Sequence, residues 1–313
     1  MKTWSTLAIV AFFLFLGSVL FIGIVFAWYA KDLPRPDKVK RSDGLSTVVL
    51  DRNGEKLYDI FEDQNRILVK WEDIPQQLKD ATIAVEDKDF YKHQGLSRTG
   101  ILRALLNIFV FRNLQGGSTL TQQLVKNVLL TQERTVPRKI KEAILAIQIE
   151  RKYTKDDILR MYLNEAPYGG TAVGVEAASE LYFSKPVKEL NLVESAIIAG
   201  LPQSPSRYSP FSGDEKAYVG RTQHVLRRMK DDGYISAAQE EKARGDAEKI
   251  QFAQGNEGLR APHFVAYVRE LLENKFGEKL VAAGGLTVTT SLDWKLQEKA
   301  QTAVAEEVEK AKK

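Results

Sequence analysis

From Thr3 to Ala30 the chain carries no charged residue, a run of 28 positions, and no other feature constrains its architecture as strongly. As a helix rising 1.5 Å per residue, such a run reaches about 40 Å, more than the ~30 Å of hydrocarbon in a bilayer. Apolar residues dominate from Leu7 to Phe26, and Trp4, Trp28 and Tyr29 stand near the ends, where aromatic belts form. A cleaved secretory signal has an apolar core of only about 7–15 residues, so the length predicts a single-pass anchor within residues 1–30. Charge argues about its orientation. Lys2 alone precedes the run, whereas Lys31, Arg35, Lys38, Lys40 and Arg41 follow it. The positive-inside tendency would hold the C-terminal side in the cytoplasm.

The remaining chain has the composition of a folded globular protein. Of 313 residues, 44% are apolar and 27% charged, which excludes wholesale disorder. The absence of cysteine excludes a disulfide framework, a thiolate metal site and a catalytic thiol. His93, His224 and His263 are too far apart in sequence to suggest a zinc cluster. Pro34-Arg35-Pro36 reads as a stiff linker. Ser46–Leu50 and Lys56–Phe61 flank Asp51-Arg52-Asn53-Gly54, a hairpin pattern with Asn53-Gly54 supplying positive φ. From Pro75 to Lys249 the periodicity is helical almost throughout. Gly284–Leu292 then reads as a strand and the charge-rich segment from Trp294 as a helix. The expected plan is an anchor (1–30), a linker and hairpin (31–61), a helical body (62–250) and a β/α tail (251–313).

Chemistry concentrates between residues 86 and 150. Ser97–Lys141 holds eight basic residues (Arg98, Arg103, Arg112, Lys126, Arg134, Arg138, Lys139 and Lys141) against one acid, Glu133, while the whole chain is only +4. Such an excess suits either an anionic ligand or membrane surface, or a solvated basic face. The apolar run Ile101–Phe111 within it suits a helix in the membrane interface or one buried in a core. Gly116-Gly117-Ser118-Thr119 precedes a helix whose predicted buried stripe is Leu120, Leu124 and Val128. Thr119, Gln123 and Lys126 share another face. In the next helix Ile140, Ile144 and Ile147 form the expected buried stripe, and Arg138 and Glu142 the expected exposed ion pair opposite. Glu86 ends the apolar helix carrying Ala81, Ile83, Ala84 and Val85, where partial desolvation can tune a carboxylate toward base catalysis. Two carboxylates with cations between them suit glycosyl transfer to or from a phosphorylated sugar. Residue spacing does not give their separation, and so does not decide between inversion and retention.

Five ordered segments carry a resemblance. Glu86-Asp87-Lys88-Asp89-Phe90-Tyr91-Lys92-His93-Gln94-Gly95 resembles the first signature of the peptidoglycan glycosyltransferases, the polymerase module of class A penicillin-binding proteins and monofunctional transglycosylases. Gly117–Asn127 is similar to the second signature and Arg138-Lys139-Ile140-Lys141-Glu142 to the third. Ile158–Asn164, with Gly169, Gly174 and Tyr182-Phe183-Ser184-Lys185, resembles the fourth. Leu192–Ala196 through Leu201–Pro210 resembles the fifth.

The resemblance implies a mainly α, lysozyme-like glycosyltransferase domain with a membrane-associated jaw that includes Ile101–Phe111. One N-terminal transmembrane helix and a small β element from N- and C-terminal segments complete it. It implies polymerisation of lipid II, donor and acceptor alike, with inversion and loss of undecaprenyl pyrophosphate. Glu86 would be the general base and Glu142 the second acid, either orienting cations or helping hold a divalent ion, Mg2+ or Mn2+. Lys126, Arg138 and Lys139 would steady the leaving pyrophosphate. Asp87, Phe90, His93, Thr119, Gln123 and Asn127 would contact or position substrate, while Glu194 reads as structural. The implied setting is the bacterial inner membrane with the domain on the outer, extracytoplasmic side, against the charge-based orientation. Other cell-wall synthesis, division or elongation proteins would be partners, and nucleic acid would not. Ala261–Val265 and Gly285–Asp293 resemble the linker to a transpeptidase domain, yet no S-x-x-K, S-x-N or K-T-G set occurs. The chain therefore reads as a truncated class A protein or a natural short form. Two rivals stand beside this reading: a lysozyme-like glycan-cleaving enzyme and a non-catalytic membrane-anchored scaffold.

Overall fold

A computed structural model describes residues 12–13, 16–17, 20, 23–31, 33–39, 44–97, 118–130, 133, 135–211, 216–253 and 260–311. Residues 23–30 are helical, and most of the uncharged N-terminal run lies outside the described residues, as do Ile101–Phe111 and Arg98, Arg103, Arg112 and Arg134. Among the described residues no helix is long and apolar enough to cross a membrane. The fold is mainly helical with two small sheets. It divides into two compact units, one of Met1–Val39 and Asp89–Ile158, the other of Lys40–Lys88 and Leu159–Lys313.

The second unit begins with β1 (Thr47–Leu50) and β2 (Lys56–Ile60), an antiparallel hairpin. Its turn differs from expectation: of Asn53 and Gly54, Gly54 alone has positive φ, at 86°. Asp51 makes the turn instead, its Oδ1 accepting the N–H groups of Asn53 (2.7 Å) and Glu55 (2.9 Å), an Asx-type closure that needs one glycine rather than two residues at positive φ. After β3 (Asn65–Arg66), α1 (Gln76–Glu86) ends where Asp87 leaves helical geometry.

The first unit contains α2 (Leu120–Val128) and α3 (Val136–Lys152), packed on each other. Leu120 and Leu124 are buried as the spacing predicts, together with Val125, whereas Val128 is half-buried. On α3 the buried face is Glu142, Ile144, Leu145, Ala146 and Ile149, and Ile140 and Ile147 are only half-buried. The expected stripe is therefore rotated, bringing Glu142 inside. At Gly95 φ is +89°, and a Cβ there would lie 2.9 Å from the Ala146 carbonyl. Glycine lets the chain press directly onto the α3 backbone.

The chain passes through α4 (Lys155–Glu165) to β4 (Pro167–Gly169), β5 (Ala172–Val173) and α5 (Val175–Phe183). A second sheet, ordered β3-β5-β4, interrupts a stretch expected to be helical. Gly174 makes the turn into α5 with φ of 84°, where a Cβ would lie 2.7 Å from Asn164 O. Next come α6 (Leu192–Gly200), the short α7 (Pro205–Tyr208), α8 (Ala217–Asp231) and α9 (Ala237–Ala247). α1, α6 and α8 pack mutually as the core of this unit. α6 is buried at every position from Val193 to Gly200, as its nearly all-apolar sequence requires. Finally α10 (Pro262–Phe276), α11 (Glu278–Ala283), β6 (Thr287–Thr289) and α12 (Trp294–Ala311) return to the hairpin. β6 pairs parallel with β1, and Val49, Leu57, Ile60, Val265 and Val281 form their shared core. The small β element thus joins segments from both ends of the chain.

Candidate active site

In the first unit the site is built on two helix starts. Thr119 caps α2: its hydroxyl accepts the Gln122 N–H (3.2 Å) while Gln122 Oε1 accepts the Thr119 N–H (3.0 Å). The same hydroxyl donates to Gly95 O at 2.7 Å, and Thr119 is 1% exposed. The hydroxyl's proton and one of its acceptor sites are thus engaged inside the protein, so this side chain fixes the start of α2. Gln123, Lys126 and Asn127 are half-buried on the same helix.

Thr135 caps α3, and Pro137 sits in its first turn. One turn on, Glu142 is 1% exposed and flanked by two cations. Lys139 Nζ donates to its Oε2 at 2.7 Å and to Ser118 Oγ at 2.7 Å, tying the two helix starts together. Arg138 Nε lies 3.1 Å from Glu142 Oε1. The contact is charge against charge without hydrogen-bond alignment, so neither atom has a hydrogen-bond partner among the described residues. The expected exposed ion pair is instead anchored on a buried carboxylate, where the pairing is less screened. A cradle of this kind presents fixed positive charge with donor capacity to spare.

Phe90 and His93 lie in the turn after α1. Phe90 is fully buried, and the Lys155 ammonium lies 4.5 Å from its ring centroid. His93 Nδ1 accepts the Gly95 N–H at 3.2 Å and stands 4.0 Å from Glu150 Oε1. Glu150 also receives the Thr121 hydroxyl (2.6 Å) and Lys155 (2.8 Å). This polar knot braces the turn after Asp89, His93 included, against α2 and α3.

In the second unit Glu86 closes α1 with its side chain largely buried, and Asp87 beside it is buried too. Arg221 on α8 reaches Glu86 Oε1 through Nη2 at 3.3 Å. Its Nε donates to Gly200 O at 3.0 Å, and its guanidinium lies 5.6 Å from the Tyr208 ring. Ion pairing with a guanidinium favours the ionised carboxylate, the form that accepts a proton. Burial foremost, then the charge of Glu86, raises the buried Tyr162 and Tyr168 phenols far above their ordinary range, so both remain neutral neighbours. A cavity of about 480 Å3 is lined by Arg207, Tyr208, Lys216, Gly220, Arg221 and His224. Burial, and then Arg221, Arg227 and Arg228, lower His224.

Sequence reasoning missed Arg221. Its one local signal is position: Arg221 and Val225 are four residues apart on α8, and Val225 is buried against the core. Glu194 has the structural role expected of it, closing a capping box with Asn191 at the start of α6 and binding Lys185 at 2.7 Å.

With this geometry established, the chain was compared with known proteins. A family model described as "Transglycosylase" matches residues 53–230. "Penicillin-binding protein 1A" of Clostridium botulinum is 37% identical over 312 residues, covering 92% of this chain and 38% of that protein. The protein of the same name from Aquifex aeolicus is 38% identical over 302 residues, covering 96% and 40%. The chain thus spans about two fifths of the length of these relatives. A crystal structure of penicillin-binding protein 1A from Haemophilus influenzae aligns at 28% identity over 82% of this chain and 28% of that one, with a TM-score of 0.43. The family model covers more than half of the chain, with Glu86, Lys126, Arg138 and Glu142 all inside the matched span, and the chain belongs to the transglycosylase family.

Proposed function

We propose that this chain is a peptidoglycan glycosyltransferase that polymerises lipid II into β-1,4-linked glycan. The observation that carries the reading is Glu142 buried beneath Arg138 and Lys139, a preformed cationic cradle for an anionic leaving group. Glu86, held beside Arg221, takes the proton of the acceptor GlcNAc 4-hydroxyl. That oxygen attacks the anomeric carbon of the donor MurNAc from the face opposite the α-linked pyrophosphate. The new C–O bond forms as the bond to pyrophosphate breaks, inverting the centre. Lys126, Arg138 and Lys139 take up the charge that develops on the departing undecaprenyl pyrophosphate, where fixed cations act most strongly. A glycan-cleaving enzyme has no such leaving group, which places that rival second.

Among the described residues no group of three or more His, Cys, Asp or Glu is arranged to hold a metal ion. Glu142 is a single carboxylate between two cations, so a divalent ion enters this reading only when carried by the substrate phosphates. No step is routed through it. The lysozyme-like fold and membrane-dipping jaw remain part of the same proposal. So do an N-terminal anchor in the bacterial inner membrane, an extracytoplasmic domain, and association with other cell-wall synthesis proteins. Supporting the anchor, Phe12, Phe13, Leu16, Leu20, Ile24 and Trp28 are exposed apolar side chains among the described residues of the uncharged run. The deciding experiment supplies purified protein in detergent with labelled lipid II. Long glycan that lysozyme digests is the expected product. Release of short fragments from preformed glycan, with no polymer from lipid II, would replace this reading by the hydrolase.

A further inference from the structure

A cavity of about 760 Å3 in the second unit lies against β2 and α5, and none of its lining residues belongs to the Glu86–Arg221 or Glu142–Arg138–Lys139 sets. Its chemistry is unbalanced. Lys56 on β2 donates to Asp59 Oδ2 at 2.7 Å and is also paired with Glu180 on α5. Asn65 Nδ2 donates to the same Asp59 Oδ2 at 3.0 Å. Asp59 is 5% exposed, and its Oδ1 has no hydrogen-bond donor among the described residues; neither has Asn65 Oδ1. Both orphaned atoms belong to residues that line the cavity, and a buried acceptor left unmade is costly.

Charge is short in the same sense. Asp59, Glu180 and the neighbouring Glu176 meet one ammonium, Lys56. Rim cations are engaged elsewhere, Arg260 with Glu55 and Lys185 with Glu194. Burial pushes Glu180 up to about 7 despite Lys56, with Asp59 and Glu176 adding to the shift. The acids do not make a metal site among the described residues. The surroundings therefore ask for a cation that brings hydrogen-bond donors. Tyr58 and Phe61 line the same cavity and provide surface for an aliphatic stem.

We propose that this cavity binds an organic cation with several N–H donors, an alkylammonium or alkylguanidinium, its head meeting Asp59 Oδ1, Asn65 Oδ1 and Glu180. The cation comes either from a basic side chain on a peptide or from a free polyamine. Binding strengthens as pH rises through the range where Glu180 ionises, because the ligand stays charged while the site gains a negative charge. The groups that face Glu180 are Lys56 and Asp59 from β2 and Glu176 from its own helix, with Glu55, Lys185, Glu189 and Arg260 around the rim.

Calorimetric titration of the full chain in detergent at pH 6 and pH 8 tests this with three probes. These are agmatine, the uncharged N-butylurea, which keeps the four-carbon stem but neither cation, and acetyl-Ala-Arg-Ala-amide. Agmatine should bind saturably and more tightly at pH 8, and N-butylurea should not bind. Asp59→Asn should weaken agmatine about tenfold, the scale of one charge-assisted contact. Glu180→Gln, which keeps the shape and loses the titration, should flatten the pH response even if Asp59→Asn folds poorly. Peptide binding tighter than agmatine places the cation on a protein partner, and the reverse on a free polyamine; either supports the site. No agmatine binding, equal binding of N-butylurea, or an unchanged pH response in Glu180→Gln would overturn it.

Discussion

Glu86 and Glu142 are both buried carboxylates facing an arginine, yet they are built in opposite ways. Arg138 and Lys139 lie within four residues of Glu142 on the same helix, so a single turn of α3 makes the cluster. Glu86 meets Arg221 across 135 residues of sequence, and the pair exists only because α1 and α8 pack on a common core. The local cluster is dense in cations and suits binding of anionic charge. The long-range pair isolates one carboxylate with one anchored guanidinium and suits a proton acceptor. Similar ion pairs thus suit different chemistry according to what surrounds them.

Conservative removal of each charge breaks this comparison most directly. Glu86→Gln should cut lipid II polymerisation by about 10³-fold, in the range for loss of a general base. Glu142→Gln should cost less, about 10- to 100-fold, because the cations survive and only their anchor is lost. Thermal unfolding in parallel separates chemistry from folding. Should Glu142→Gln prove the more damaging of two folded variants, the base assignment would move from Glu86 to Glu142.

The arginines sharpen the contrast at the next scale. Arg221→Met should lower kcat/KM by about tenfold and move the acid limb of its pH profile upward, because removing a nearby cation disfavours the ionised carboxylate. Arg138→Met should lower kcat and leave that limb in place, its charge being directed at the leaving group. A pH–rate series on both variants checks this. Identical displacement in the two would mean that Arg221 and Arg138 act on the same titrating group.

How much was legible in the sequence follows the same local and long-range divide. The end of α1 at Glu86, the Thr119 cap and the Arg138–Glu142 spacing depend on neighbours within a few residues. The position of Arg221 depends on a three-helix core, and its spacing to buried Val225 is a weak local trace of it. The sheet β3-β5-β4 escaped for a related reason: its strands have two or three residues, too few to show a period of two, and Asn65–Arg66 pairs with Ala172–Val173 across a long separation. Phe90 shows what a signature segment leaves open. An aromatic residue inside a signature segment suggests substrate contact, but its ring fills the core and receives Lys155 on its face. Glu142 was mistaken for a surface residue because two overlapping stripes fit α3, and a carboxylate ordinarily decides for the polar side.

Thr119 gives the smallest expected effect and the cleanest division between scaffold and chemistry. It lies in a segment that resembles a catalytic signature, directly before the helix bearing Gln123 and Lys126. Its hydroxyl, however, accepts from Gln122 N–H and donates to Gly95 O. Loss of a cap of this type costs about 1 kcal/mol. Thr119→Ala should therefore lower the denaturation midpoint while each folded molecule keeps most of its turnover, and Thr119→Ser should restore stability by keeping the oxygen. The measurement pairs denaturant unfolding with active-site-normalised polymerisation. A large fall in turnover at unchanged stability would place the hydroxyl on substrate and reverse the assignment. The expected result would show that this segment uses its helix start for architecture and its next turn for charge.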